Sequence, residues 1–360
     1  MATVEAGQAK VDNYLVYFTH HISKLSRTIS KYGPRLSIED FAGLYQKNQH
    51  AHGNHFVIHQ HNHPRAGVHY DLRLQFSKTS SLSFAVPKGL PGDPNSKQQG
   101  RMAIETRVHN LWNHLIESAS LKTGSLLIWD TGTYSILPRK TLNNQPSPQT
   151  TDDESDADIP FNSADLTADT KHENEKLIEA FQGRYIRLRL QGTRLPENYT
   201  ISLRLPSAND ISNPHQVRRR RTKSPKRKPV QYFTDSESEG GPTSLGKEEE
   251  GQDMVTDDEE DFSTRVNNAY PGSTNSIGSK HQRRWFMSLD RQSSGFVQNK
   301  SGAEQGKWSR SEEGGGFEAF YIRGREFERS VVTGRLAAEV EADEGVEGYV
   351  GRAGWMGITE

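Results

Sequence analysis

The stretch VHYDLRLQF, residues 68–76, alternates apolar and polar side chains. This two-residue period is typical of a half-buried β-strand and not of an α-helix. Its apolar residues share one face, whereas His69, Asp71 and Arg73 share the other. Similar short runs follow at residues 83–87, 101–106, 125–130, 133–137, 183–191 and 197–205. This spacing predicts a mainly β chain, folded as a small antiparallel barrel or sandwich. Thr131-Gly132, between two of these runs, is predicted to form a tight turn.

Residues 1–50 are predicted to form a helical segment in front of the strands. Residues 14–30 carry apolar side chains at helical spacing and end before Gly33-Pro34. Ser37 and Asp40 have the spacing of a capping box, which predicts a second short helix there. We expect these helices to flank a β domain of residues 51–205.

Composition limits how much of the chain can fold. Only 32% of the residues are hydrophobic and the mean hydropathy is −0.83, so a large part cannot bury a core. Residues 142–176 are acidic and predict a disordered insertion in the β domain, and residues 206–282 predict a disordered basic and acidic linker. No apolar run approaches the roughly 18 residues that a membrane-spanning helix needs, which argues against a membrane protein.

Residues 283–360 regain aromatic side chains after the linker. Their pattern predicts a helix from about Glu326 to Glu341. The sequence leaves open whether this segment is a small C-terminal module, α/β or irregular, or a tail that packs on the β domain. It indicates no role for the segment.

Histidines are concentrated at the start of the β domain. Seven of the chain's 14 histidines lie between residues 50 and 69, and there is no cysteine, so a metal would have imidazole and oxygen ligands. His69 and Asp71 are two residues apart on one strand face and can approach one cation. A second histidine from the preceding run, His61 or His59, could complete an open site suited to manganese, iron or zinc.

The remaining histidines of this tract need no catalytic role. We interpret His50, His52, His55 and His63 as a solvated tract that binds metal loosely at most. Basic residues on later strands favour a catalytic use of the His69 region. They are Lys88, Arg101 and, close by, His109. A metal beside lysine and arginine is a recurring arrangement for holding a phosphoryl group.

The same residues carry a family resemblance. FVI-x-x-His, HYDLRL, AVPKG, R-x-A-I-E and LLIWDTGTY occur in this order, followed by GRYIRLRLQGTRLPENYTISL. These motifs resemble the 3′-phosphoesterase domain of bacterial DNA ligase D and its stand-alone relatives, over about residues 54–205 apart from the insertion. The resemblance implies a compact β-barrel with small flanking helices. It also implies an enzyme of DNA repair that removes a terminal ribonucleoside and then the 3′-phosphate from DNA 3′ ends, leaving a hydroxyl.

The resemblance implies a role for each matching residue. His61, His69 and Asp71 would be the metal ligands, with manganese as the usual metal. His109 would contact the scissile phosphate as general acid or charge stabiliser. The remaining positions would meet the substrate phosphate, and they are Arg73, Lys88 and Arg101.

Three departures separate this chain from the family pattern. The turn between His61 and His69 is two residues longer than usual. Asn113 stands where the family has a tyrosine, and HLIESASLKTG replaces an I-P-x-G-x-Y-G loop of the substrate wall. These departures leave open a degenerate relative that binds DNA ends without chemistry. A further alternative is an iron oxygenase whose facial triad combines His69-x-Asp71 with the distant His109.

The linker contains the cationic run RRRRTKSPKRK, residues 218–228. Such a run is typical of segments bound by a nuclear import receptor or by nucleic-acid phosphates, and phosphorylation of Ser224 would add negative charge to it. With the acidic serine clusters it predicts a nuclear protein. The alternative is a linker that only aids solubility. No ligase or polymerase motif accompanies the domain, so the chain is expected to process DNA ends either alone or with DNA repair proteins as partners.

Overall fold

We describe a computed structural model of the chain. The residues described are Val4 and residues 11–27, 33–139, 170–210, 266–302, 304–311 and 314–359. Most of the predicted insertion and most of the predicted linker, including residues 218–228, therefore lie outside the described residues. Within the described part, no helix is long and apolar enough to cross a membrane.

The centre of the molecule is a closed antiparallel barrel of eight strands, which confirms the predicted fold class. In chain order the barrel strands are β1 (His55–His63), β2 (Gly67–Gln75), β3 (Ser80–Val86), β4 (Gly100–Glu105), β7 (Gly124–Ile136), β8 (Tyr185–Gly192), β9 (Thr200–Arg204) and β10 (Arg284–Leu289). The barrel closes because β1 pairs with β2 on one side and with β7 on the other. Two short strands lie at its edge, β5 (His109–Asn110) and β6 (Ser118–Ser120).

The tight turn predicted at Thr131-Gly132 does not form. Both residues lie inside the long strand β7, where Thr131 pairs with Val57 and Gly132 pairs with Phe56 and Gly192. The glycine serves close strand approach instead, since a Cβ at Gly132 would lie 1.9 Å from the backbone oxygen of Gln191. The Thr131-Gly132 pair that predicted a turn instead allows two strands to pack closely.

The two faces of the strands bury different cores. The interior is filled by apolar side chains such as Ile58, Tyr70 and Leu72. A second cluster covers the outside of β1 and β7, where Val57 and Ile128 contact the N-terminal helices. These helices are α1 (Tyr14–Leu25) and α2 (Ile38–Lys47). As the capping-box spacing predicted, the Ser37 side chain accepts a hydrogen bond of 3.0 Å from the Asp40 backbone at the start of α2.

The end of the predicted insertion folds. Helix α3 (Glu173–Gln182) begins before residue 176, and its Leu177 and Phe181 pack into the barrel core. The side chain of Glu175 accepts a hydrogen bond of 3.1 Å from the backbone nitrogen of His172, which satisfies one donor at the start of this helix. The sequence around this short amphipathic helix has few aromatic residues, which is why the whole stretch was predicted to be disordered.

The C-terminal part packs on the β domain and enters it. Strand β10 lies between β4 and β9, so residues 284–289 are needed to close the barrel. Residues 206–210 and 266–282, inside the predicted linker, are also folded against the barrel, through bonds such as Val108 N to Asn268 O at 2.9 Å. Beyond β10, a separate hairpin pairs β11 (Phe296–Gln298) with β12 (Trp308–Arg310).

The helix predicted for Glu326–Glu341 is wrong over its first two thirds, residues 326–336. The observed helix, α4, spans Ala337–Asp343. The preceding residues include the β-branched run Val331–Thr333 and Gly334, whose φ of 73° a helix does not accommodate. Arg335 instead donates a 3.0 Å hydrogen bond to the buried carboxylate of Glu117, which fixes this segment to the barrel.

Candidate metal centre and active site

The predicted metal ligands meet on the outer face of the β1–β2 hairpin. His61 pairs directly with His69, and His59 pairs with Asp71. These residues share the face of Val57, while the alternate residues Ile58 and Tyr70 point into the interior core. β1 ends at His63 and β2 begins at Gly67, so the additional residues of this sequence stay in the turn and leave the pairing intact.

His61, His69 and Asp71 offer ligand atoms that all lie within 4.8 Å of one another. His61 Nδ1 is 3.5 Å from Asp71 Oδ2, and His69 Nε2 is 3.4 Å from Asp71 Oδ1. Two imidazole nitrogens and one carboxylate oxygen can therefore converge on one divalent cation and leave coordination positions for water and substrate.

Backbone carbonyls orient both imidazoles. His61 Nε2 lies 2.8 Å from Thr123 O, and His69 Nδ1 lies 3.0 Å from Gly67 O. A carbonyl oxygen only accepts, so each of these nitrogens carries the hydrogen and the other ring nitrogen presents its lone pair towards Asp71 in the neutral form. Metal-binding histidines are typically fixed in this way by a second hydrogen bond.

Charge at the centre favours cation binding. Burial by itself would raise the pKa of Asp71, but His69, His61 and Arg73 outweigh burial and hold that pKa well below its usual range. Burial lowers the pKa of His69 to about 4. Burial also acts to lower the pKa of His61, but the facing Asp71 carboxylate outweighs it and raises that pKa. A metal cation would compete with protons for the ligand atoms of His61, His69 and Asp71.

Arg73 extends the polar row beyond Asp71. Its Nη2 lies 3.4 Å from Asp71 Oδ2, and the side chain is only 5% exposed. Its Nε and Nη1 atoms are buried and have no hydrogen-bond partner among the residues that the structure describes. Buried guanidinium donors without partners are unusual, and they fit a site that takes up an anion such as phosphate.

His109 faces the same side from β5, which is separated from β2 by β3. It pairs with Ser81 on β3, next to Ser83, which pairs with Arg73. Its Nδ1 donates to Arg107 O at 2.8 Å, which leaves Nε2 as the available nitrogen. Burial lowers the pKa of His109 well below the usual histidine value, and nearby Arg73 lowers it further. His109 is therefore neutral near pH 7, and an anionic phosphate beside it would favour its protonated form.

A family model matches the part of the chain that contains these residues. Residues 59–203 match the family model of the DNA Ligase D 3′-phosphoesterase domain. The match confirms the resemblance carried by the sequence motifs. It contains all seven residues to which the resemblance gave a role, from His61 to His109.

Two mycobacterial proteins are similar to part of this chain. One is the multifunctional non-homologous end joining DNA repair protein LigD of Mycobacterium tuberculosis, and the other is the multifunctional non-homologous end joining protein LigD of Mycobacterium bovis. Each is 38% identical over 86 residues, which cover 23% of this chain and 10% of the relative. The chain thus matches about a tenth of the length of these relatives.

Two residues assigned to phosphate binding make their hydrogen bonds outside the metal group. Arg101 shares a face of β4 with Ala103, which belongs to the interior core, and it pairs with the buried Met287. Its guanidinium donates to Gln98 O. Lys88 is exposed, and its Nζ donates to Met356 O at 3.3 Å. Of the predicted residues, the structure brings together the three metal ligands and Arg73, with His109 facing the same side from β5 on the far side of β3.

The other histidines of the tract differ in environment. His59 Nε2 lies 3.2 Å from Ile116 O, and its ring is not part of the metal group. His63 is buried, and its Nδ1 accepts hydrogen bonds of 3.2 Å from the backbone of Arg65 and Ala66 in the hairpin turn. His55 is fully buried against His114, with 2.7 Å between their Nδ1 atoms. The interpretation of a solvated tract is therefore wrong for His55 and His63, which are structural residues of the fold.

Proposed function

We propose that the protein is a metal-dependent phosphoesterase that processes DNA 3′ ends. It removes a 3′-terminal ribonucleoside and the 3′-phosphate and leaves a 3′-hydroxyl, as one step of DNA repair. The match of residues 59–203 supports DNA end processing. The observation that carries the reaction is the convergence of His61, His69 and Asp71 beside the unpartnered nitrogens of Arg73.

The donor set fits a divalent cation, and we propose manganese as that ion because imidazole and carboxylate ligands suit it. When bound, such an ion would supply Lewis-acid stabilisation of the phosphoryl oxygens and lower the pKa of a coordinated water. Arg73 would hold the phosphate through its free guanidinium nitrogens and neutralise charge that develops on it. His109 Nε2, once protonated beside the anion, would donate a proton or a hydrogen bond to the phosphate.

The same combination of two histidines and one carboxylate also binds iron in oxygenases. The iron alternative, however, needed His109 as a ligand, and the residue that completes the group is His61. An oxygenase also gives no reason for a buried arginine with free donors beside the centre. Phosphoester hydrolysis accounts both for a metal group completed by His61 and for a buried arginine with free donors beside it.

A second candidate function is binding of DNA ends without chemistry. The observation in its favour is that Lys88 and Arg101 bond to other groups, Met356 O and Gln98 O. Arg73 is therefore the one predicted phosphate-binding residue that contacts a metal ligand. Asn113 in place of the family tyrosine points the same way. Binding would then depend on the metal and Arg73 while the phosphate remained intact.

One assay separates these functions. We expect wild-type protein with Mn²⁺ to release phosphate from a 3′-phosphorylated DNA primer and a nucleoside from a primer that ends in a ribonucleotide. Chelation, or His69→Ala, should abolish both reactions while circular dichroism shows the β domain still folded. Release no greater than that of His69→Ala, together with retained binding to the primer, would establish the binding function instead.

The cellular setting is also proposed. The run at residues 218–228 would bind a nuclear import receptor and bring the protein to nuclear DNA. Its partners there would be DNA repair proteins that extend or join the 3′-hydroxyl ends it produces.

A further inference from the structure

Residues near the end of the predicted linker pack against the barrel beside the active site. Residues 268–274, here called the return segment, lie along β5. Val108 N donates to Asn268 O and Tyr270 N donates to Val108 O, each at 2.9 Å. Asn110 Nδ2 also donates to Pro271 O at 2.9 Å. The return segment is therefore attached on both sides of His109 by backbone and side-chain hydrogen bonds.

These bonds set Tyr270 against His109. The two ring centroids are 4.7 Å apart with an angle of 54° between the planes. The guanidinium carbon of Arg107 lies over the Tyr270 ring at 5.5 Å from its centroid. His109 thus contacts an aromatic side chain from a segment more than 150 residues away in sequence.

Asn113 cannot provide such a contact. The family pattern has a tyrosine at this position, four residues after the histidine, whereas the chain has a short amide there. The Asn113 side chain is nearly buried on the 3-10 helix Leu111–Leu115, and its Oδ1 has no hydrogen-bond partner among the described residues. Asn113 therefore leaves the aromatic neighbour of His109 to be supplied from elsewhere.

We infer that Tyr270 is the positioning residue for His109, so that the return segment is a part of the active site. The Nδ1 bond to Arg107 O fixes one edge of the imidazole, and the Tyr270 ring limits its rotation about the remaining side-chain torsions. Together they keep Nε2 directed to one place. The consequence for catalysis rests on the proposed function, whereas the ring contact does not.

The contact can be tested without activity. NMR of the full chain carrying isotope-labelled histidine would follow the His109 ring, with its signal assigned by His109→Gln. We expect Tyr270→Ala to shift or broaden that signal and Tyr270→Phe to leave it close to the wild-type position. Tyr185 is a matched control, because it is also half-buried and has Arg139 over its ring at 5.3 Å, and Tyr185→Ala should not affect the signal. An unchanged His109 signal in Tyr270→Ala would overturn the inference.

Kinetics then test the consequence for the reaction. Tyr270→Ala should lower kcat on a 3′-phosphorylated primer roughly tenfold to a hundredfold, the usual loss from a misplaced group, with KM changed little. Tyr270→Phe should restore kcat. In a His109→Ala background Tyr270→Ala should cost nothing further, because it acts through that histidine. Additive losses, or a rise in KM alone, would overturn the positioning role. An inactive wild-type protein would instead overturn the proposed function, and the NMR comparison would still decide the ring contact.

Discussion

The histidines towards the two ends of strand β1, His55 and His61, have pKa values shifted in opposite directions. His55 and His61 lie on the same outer face of this strand, and each contacts a second histidine, His114 and His69 respectively. At the His55 end, burial lowers the pKa of His55 to about 3. At the His61 end, the facing Asp71 carboxylate outweighs burial and raises the pKa of His61.

The presence of one carboxylate therefore distinguishes the histidine pair of the metal centre from the structural histidine pair. Near His55 the polar partner is the hydroxyl of Thr131, 3.0 Å from Nε2, which satisfies a neutral ring. Near His61 the partner is Asp71, which carries a full charge and favours any cation that enters, a proton or a metal ion. Histidine content alone did not distinguish the two ends. The position of the acidic residue on β2 did.

Removing this carboxylate should have the largest effect. Asp71→Asn keeps the shape of the side chain but should make the His61 end resemble the His55 end. We expect Mn²⁺ binding to be lost in calorimetry and phosphate release to fall by at least about 10³-fold, the scale seen when a main electrostatic element is removed. The pKa of His61, followed by NMR without metal, should fall at the same time.

His61→Ala should likewise abolish metal binding and turnover. His59→Ala is the matched control, because His59 lies on the same row but outside the ligand group. If His61→Ala left both quantities unchanged, His59 or His63 would be the third ligand.

The next largest effect is expected at Arg73. Arg73→Ala should lower kcat/KM for the 3′-phosphorylated primer by about 10²–10³, because it removes the free donors beside the metal group. Arg101→Ala should change turnover only a few-fold and lower the Tm instead, since its side chain lies on the interior face. Equal losses of turnover in both variants would show that Arg101 reaches the substrate, contrary to its position in the barrel.

Arg73 and Arg101 also show which part of the site could be predicted from the sequence. The metal ligands lie on one hairpin, and the period-2 pattern placed His69 and Asp71 together on one face. The pattern left His61 and His59 as candidates for the third ligand, and the family resemblance favoured His61. The face of Arg101 depends on how β4 pairs with β10, a strand that comes after the long predicted linker. No local pattern records such a pairing. The same holds for Tyr270, and the family motifs could not identify it because it lies outside residues 59–203.

A moderate effect is expected in stability against pH. His55, with a folded pKa of about 3, stays neutral while the unfolded chain binds a proton near pH 6.5, and burial also lowers the pKa of His114. Stability is therefore fully present above about pH 6.5 and declines as the pH falls towards 3, by up to about 1.4 kcal/mol per pH unit and histidine. Urea unfolding with chelator present should show this decline, and His55→Gln should flatten it. An equally steep decline in the variant would place the responsible groups elsewhere.

The smallest effect on the chemistry is expected from the basic run. Replacing Arg218–Arg221 and Lys226–Lys228 with neutral residues should move the protein from the nucleus to the cytoplasm, visible with a fluorescent tag. Turnover on a short primer should stay unchanged, because the metal group and Arg73 lie on the β1–β2 hairpin, a separate part of the sequence. Long DNA at low salt is the sensitive control, since loss of several cationic contacts weakens binding to phosphates in a salt-dependent manner. A loss of turnover on the minimal primer would instead make the run part of the active surface, alongside the return segment that follows it.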